Sequence, residues 1–201
     1  LRQPIVSFAV VALVGPAAAV LKCRRRAAPH ALRPAAEEGA MHRGETLLVY
    51  ETRVDSTWID DNDHMNDAAY ALVFSRAVDA LMDRIGLDVA QRKASRRTLY
   101  TAQAMHRYFI EAAQGDPLAV SFRLLEHDEK RMRVWLEMSG RDGVALAVSE
   151  QTLLSVDRSG AKPRVAAWRA ETRSALDALA RAQSDLAAPP LAGRGVTMRR
   201  A

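Results

Sequence analysis

Between Asn66 and Gly86 the apolar residues recur every three or four positions, and no other stretch limits the possible folds as much. In DAAYALVFSRAVDALMDRIG, the residues Ala69, Leu72, Val73, Ala77, Leu81 and Met82 fall on one face of a helix. Asn66 stands at the N-cap position, where its side-chain oxygen accepts from a free backbone N–H. Met65 and Tyr70 have the spacing of the apolar pair that staples a chain into its first turn. Gly86 supplies the left-handed residue that ends such a helix. A helix with one apolar stripe must bury it against another layer.

The flanking sequence supplies that layer. Thr46–Val54 is rich in β-branched and aromatic residues and predicts a strand. After the helix, Thr98–Ala112 predicts one long strand with Tyr100, Ala102, Ala104, His106, Tyr108 and Ile110 on one side. Gly115-Asp116-Pro117 is a turn. Leu118–His127 and Arg131–Ser139 predict strands joined by Asp128-Glu129-Lys130, and Arg141-Asp142-Gly143 leads into a last strand, Val144–Val156. One strand, one long helix and four strands in hairpin order imply an α+β domain over 41–160, its antiparallel sheet wrapped around the helix. Over 161–201, Ala170–Ala187 predicts a C-terminal helix, followed by an irregular tail.

Residues 1–40 differ in character. Ile5–Leu21 is apolar for 17 residues, interrupted by Gly15-Pro16 and followed by KCRRR. A spanning helix needs about 20 such residues. Three readings stay open for this extension: a membrane anchor, a secretory signal with Ala17-Ala18-Ala19 near its cleavage site, or a start called upstream of Met41. The segment also explains the charge. The net charge of +5 and pI of 9.8 suggest nucleic acid at first sight, but 1–40 hold six basic and two acidic residues, leaving 23 against 22 elsewhere. No phosphate-tracking surface is expected, and nucleic acid is not an expected partner. The single cysteine, Cys23, excludes an internal disulfide and fits a reducing cytoplasm.

The chemistry concentrates in WIDDNDHMND, residues 58–67. An EF-hand loop starting at Asp60 would put Met65 where glycine is needed and Ala71 where a glutamate belongs, so calcium fails on spacing. A transition metal would want two or three His or Cys ligands, but His64, His106 and His127 fall on different elements. Two readings remain open on the residues alone. One is a polar turn that merely caps the helix. The other is a catalytic carboxylate, Asp60, beside a helix N-terminus whose free N–H groups stabilise a developing oxyanion.

The pattern D-x-x-x-H-x-N-x-x-x-Y, here Asp60, His64, Asn66 and Tyr70, resembles the signature before the central helix of hotdog-fold acyl-CoA thioesterases of the 4-hydroxybenzoyl-CoA thioesterase-like branch. In that fold an antiparallel sheet wraps one long helix, the order derived above. WIDDNDHMNDAAY, SRAVDALMDRIGLD, LYTAQAMHRYF, DEKRMRVWLEM and VSEQTLLSVD together resemble the thioesterases of carnitine breakdown, which hydrolyse betainyl-CoA. The resemblance implies hydrolysis of a short acyl-CoA with no metal or organic cofactor, in a homodimer or homotetramer. Another short or aromatic acyl-CoA, or acyl-CoA binding without catalysis, are the alternatives.

Carried over by position, the resemblance makes Asp60 the catalytic carboxylate, with His64 a motif residue of unfixed role. Asn66 and Asp67 mark the helix start that polarises the thioester carbonyl. Asp63 occupies a place where the motif usually has glycine; if that place needs positive φ, aspartate is among the less costly replacements, and it adds a charge beside Asp60. A betainyl group carries a quaternary ammonium, for which Trp58, Tyr70, Tyr108 and Trp135 are the candidate aromatic cage. Arg96, Arg97, Lys130 and Arg131 are candidates for the CoA phosphates.

Overall fold

The computed structural model of the protein describes residues 45–196. The extension 1–40, and with it the anchor, signal and start readings, lies outside the described residues. The elements run β1 (Leu47–Arg53), α1 (Asp67–Arg84), α2 (Val89–Ser95), β2 (Arg97–Tyr108), β3 (Pro117–His127), β4 (Arg131–Ser139), β5 (Ala145–Asp157), β6 (Arg164–Val165) and α3 (Ala170–Ala182), with a 3-10 turn at Ser56–Trp58. The strands form one antiparallel sheet in the order β1-β3-β4-β5-β2, and β6 adds to β5. This is the hotdog arrangement.

α1 buries Ala69, Tyr70, Val73, Phe74, Ala77, Val78, Leu81 and Met82, the stripe that its periodicity requires. They pack with Val120, Phe122, Val134, Leu136, Met138 and Leu153 from the inner face of the sheet. Phe74 is fully buried, so truncating it to alanine would cost about 3–5 kcal/mol. Leu72 departs from expectation and is 40% exposed. Phe74 and Val78 take the buried arc instead, which leaves Leu72 at its rim. Asn66 is the N-cap, accepting from the Ala68 N–H, and Gly86 follows the C-cap Ile85 with φ +74°.

β2 corrects a second expectation. A bulge between Thr101 and Gln103 shifts the register against β5, so the alternation changes face part-way along the strand. Leu99 is buried before the bulge; afterwards Ala104, His106 and Tyr108 lie opposite Gln151, Ser149 and Ala147, with His106 stacked on Phe74 and Tyr108 against Tyr70 on the α1 side. Tyr100 therefore does not share a side with His106 and Tyr108. The strand also stops at Tyr108, and Ile110 lies beyond it.

Two elements escaped the sequence reading. α2 is a short surface helix capped by Asp88, whose carboxylate accepts from the Gln91 N–H. β6 is only two residues long. α3 ends at Ala182, earlier than its alanine content suggests. Its C-cap Gln183 turns inward: the side-chain carbonyl accepts from Leu124 N–H and the amide donates to Phe122 C=O. Among the described residues β3 has no strand partner beyond Phe122 on the β1 side, where β1 begins at Leu47 opposite that residue. The Gln183 amide thus satisfies one donor and one acceptor of β3 at that edge. The Trp168 indole N–H donates to Asp128 C=O just before α3 begins, and His127 lies 3.3 Å from Asp177 at its middle.

Candidate active site

The acidic stretch folds into a small closed loop at the mouth of α1. Asp60 N–H donates to His64 C=O at 2.9 Å, Asp63 N–H donates to Asp60 C=O at 3.1 Å, and Ile59 pairs with Met65. Asp63 has φ +62°, the left-handed backbone that glycine supplies elsewhere; aspartate tolerates it better than most residues. One Asp60 carboxylate oxygen accepts from the Asn62 N–H at 2.8 Å, and its other oxygen takes no hydrogen bond among the described residues. The loop is docked on the segment after β2: Met65 N–H donates to Ala112 C=O at 2.8 Å, and His64 Nε2 lies 3.2 Å from a Glu111 carboxylate oxygen.

That docking walls a hollow of about 280 Å³ between the N-terminus of α1 and the end of β2, with Tyr70, Tyr108, Phe109, Asp67 and Glu111 in its lining. Tyr70 and Tyr108 meet edge to face at 5.2 Å. Burial pushes both phenols above their ordinary range, and for Tyr108 the Asp67 charge adds to it. The Asn66 side chain satisfies the Ala68 N–H, and Asn66 C=O accepts from Ala69 and Tyr70. Among the described residues the Asp67 N–H has no acceptor in this cap, so a donor remains free at the positive end of the helix.

Of the residues predicted for the site, Asp67, Tyr70 and Tyr108 come together in the hollow. Asp60, His64 and Asn66 form the adjoining loop and cap rather than its lining. Trp58 holds the loop by accepting from Asn66 N–H at its backbone, while its ring lies 5.4 Å from the Arg76 guanidinium. One face of that indole is therefore already taken by the chain's own cation. Trp135 is not in the site of this chain. It pairs with Arg123 and Glu150 on the outer face of the sheet, because its neighbours Val134 and Leu136 are the residues pointing at the core. Arg131 is bound to Asp128 at 2.6 Å in the β3–β4 hairpin. Arg96 and Arg97 sit at the start of β2, the far end of that strand from Tyr108. Phe109 and Glu111 were missed; they follow the last regular strand residue, where no local pattern marks a site.

Among the described residues no three His, Cys, Asp or Glu side chains gather as a metal would need, and no helix is long and apolar enough to cross a membrane.

Residues 54–176 match the family described as "Thioesterase-like superfamily". The chain belongs to that family. Members are thioester hydrolases, and this thioesterase is 42% identical over 152 residues to the betainyl-CoA thioesterase of Pseudomonas aeruginosa, covering 75% of this chain and 94% of that one. It is 35% identical over 161 residues to the L-carnitine dehydrogenase/betainyl-CoA thioesterase of Agrobacterium fabrum, covering 80% of this chain and 32% of that longer protein. A solved putative thioesterase from Pseudomonas putida matches with TM-score 0.66 and 35% identity over 78% of this chain and 99% of its own. A Staphylococcus aureus protein solved in complex with CoA shares the fold, with TM-score 0.71 and 24% identity over 80% and 99% of the two chains.

Proposed function

We propose that this thioesterase hydrolyses betainyl-CoA to betaine and CoA. The observation that carries the substrate choice is the lining of the hollow: three aromatic rings, Tyr70, Tyr108 and Phe109, with the carboxylates of Asp67 and Glu111. Aromatic faces attract a quaternary ammonium by about 0.5–2 kcal/mol each, and the carboxylates of Asp67 and Glu111 add negative charge beside it. A neutral acyl chain would gain nothing from Asp67 and Glu111. The same relation to betainyl-CoA thioesterases runs through most of the chain.

In this reading the thioester carbonyl lies at the N-terminus of α1, where the Asp67 N–H polarises it. The Asp60 carboxylate attacks that carbon directly or draws a proton from an attacking water. In either route the C–S bond breaks and the sulfur leaves as CoA thiolate: attacking water gives betaine's carboxylate at once, whereas direct attack leaves a mixed anhydride on Asp60 that a water molecule then hydrolyses to betaine and the free carboxylate. Asn66 aims the helix, and the docked His64 holds the Asp60 loop against Glu111.

Assembly belongs to the same proposal. β2 is an edge strand of 12 residues, and Tyr100 to Ala104 are exposed along it. Such an edge is a template for pairing with another strand, and a second copy of β2 would satisfy it in a homodimer. A cytoplasmic setting fits a CoA substrate. The test is a panel of acyl-CoAs assayed for released CoA. Betainyl-CoA should lead in kcat/KM, Tyr108→Ala should erase that lead, and Asp60→Asn should stop turnover. Preference for a neutral or aromatic acyl group would assign a different substrate, and tight binding with no CoA released by the wild type would make the protein an acyl-CoA binder.

A further inference from the structure

After α3 the chain forms no further helix or strand among the described residues, yet the run from Gln183 to Arg194 is tied to the sheet along its path. The Arg123 guanidinium on β3 donates to Leu186 and Ala187 C=O. Gly193 N–H donates to one Glu150 carboxylate oxygen on β5 at 2.8 Å, and Arg133 holds the other oxygen at 2.8 Å. Arg107 on β2 donates to Arg194 C=O. Arg123, Trp135 and Glu150 stand side by side across β3, β4 and β5. A segment held over the first and the third passes over the second, which accounts for a tryptophan that faces away from the core yet is only 6% exposed. The reach is sufficient. From β3 to β2 is three strand spacings, about 14 Å, and the seven residues from Ala187 to Arg194 extend to about 24 Å. The sheet side chains all meet the backbone of this tail, so they fix its path whatever side chains it carries.

The far end of the tail meets the acyl hollow from behind. Arg107 and Tyr108 are successive residues of β2, so their side chains leave opposite faces of the strand. Tyr108 stands against Tyr70 in the lining of the hollow, while Arg107 takes Arg194 on the outer side. β2 ends the sheet and pairs only with β5 among the described residues. A strand end of this kind opens easily unless something else holds it. Gly193 and Arg194, consecutive in the tail, bridge β5 to β2 there. Gly193 has φ +74° and open space where a side chain would begin, so backbone conformation rather than room calls for glycine.

We infer that residues 183–194 are a strap that positions the acyl hollow, and that Arg107 is the positioning residue through which the strap fixes Tyr108. This rests on the thioesterase reading above, with Tyr108 in the acyl site. Arg107 touches no substrate; it sets where the aromatic wall stands. A loosened strap leaves the chemistry at Asp60 intact and displaces the ring that receives the cationic group.

Substitutions in the full chain test it, assayed by CoA released from betainyl-CoA and from butyryl-CoA. Arg107→Ala should raise KM for betainyl-CoA about fivefold with kcat within about twofold of wild type. KM for butyryl-CoA should barely change, since a neutral chain draws no cation–π attraction from Tyr108. Arg107→Lys keeps a donor and should recover most of the loss. Gly193→Pro removes the N–H that Glu150 accepts and forbids the positive φ, so it should reproduce Arg107→Ala. The double variant should lose no more than either single one, because both act through one strap. A wild-type KM in Gly193→Pro, additive losses in the double variant, or a fall in kcat with equal KM changes on both substrates overturns the inference and leaves the thioesterase reading intact. Failure of the wild type to release CoA from any acyl-CoA would instead remove that reading.

Discussion

His64 Nε2 stands 3.2 Å from the carboxylate of Glu111, and this contact joins the loop that carries Asp60 to the wall of the acyl hollow. The pair is open to solvent, at 42% and 74% side-chain exposure, so its worth to stability is about 0–1 kcal/mol. Its consequence is positional. Glu111→Gln should leave the melting temperature nearly unchanged and raise KM for betainyl-CoA roughly fivefold, since the cationic group loses a charge partner. KM for a neutral acyl-CoA should stay as in the wild type. Equal losses on both substrates would show that Glu111 serves only to hold the loop.

Asp63→Gly tests the residue that replaces the motif's glycine. The substitution relieves positive φ, while the greater freedom of glycine in the unfolded chain offsets part of the gain. Thermal unfolding should show a change under about 1 kcal/mol, and turnover should be kept. A collapse of kcat would mean that the Asp63 carboxylate takes part in the reaction.

Asn66→Ala removes the oxygen that accepts from the Ala68 N–H and should cost about 0.5–2 kcal/mol by denaturant titration, together with a fall in kcat as the first turn of α1 frays. Asn66→Asp retains the cap and should recover the stability.

Gln183→Ala should destabilise by about 2–3 kcal/mol, because it strands Leu124 N–H and Phe122 C=O inside the protein at an edge that no strand covers among the described residues. Hydrogen exchange at Leu124 should accelerate. Slow exchange there would show that another segment closes the edge.

His106 gives a pH dependence. Its ring stacks on Phe74 at 5.4 Å, Nδ1 is buried without a partner, and burial holds the imidazole below its ordinary 6.5. The unfolded chain therefore takes up this proton first on acidification. The stability tied to neutral His106 is present above pH 6.5 and is lost as pH falls through the lower folded value. Melting temperatures from about pH 7.5 down to 5.5 should decline, and His106→Phe, which keeps the stack, should flatten that decline. An identical slope in the variant would assign it to other groups.

Much of the molecule was legible before folding because it is local. The α1 stripe, the Asn66 cap, Gly86 and the hairpin turns are written in spacings of a few residues, whereas the positive φ at Asp63 is fixed only by the closed loop it sits in. The motif also singled out Asp60 and the helix start without any knowledge of what surrounds them. Other features depend on partners distant in the chain. Which side Tyr100 faces is decided by a bulge against β5, and Trp135 turns outward because Leu136 points in. The acyl hollow exists only where the end of β2 meets the mouth of α1. Periodicity determines which residues are buried along one element; register and docking decide which elements those residues meet.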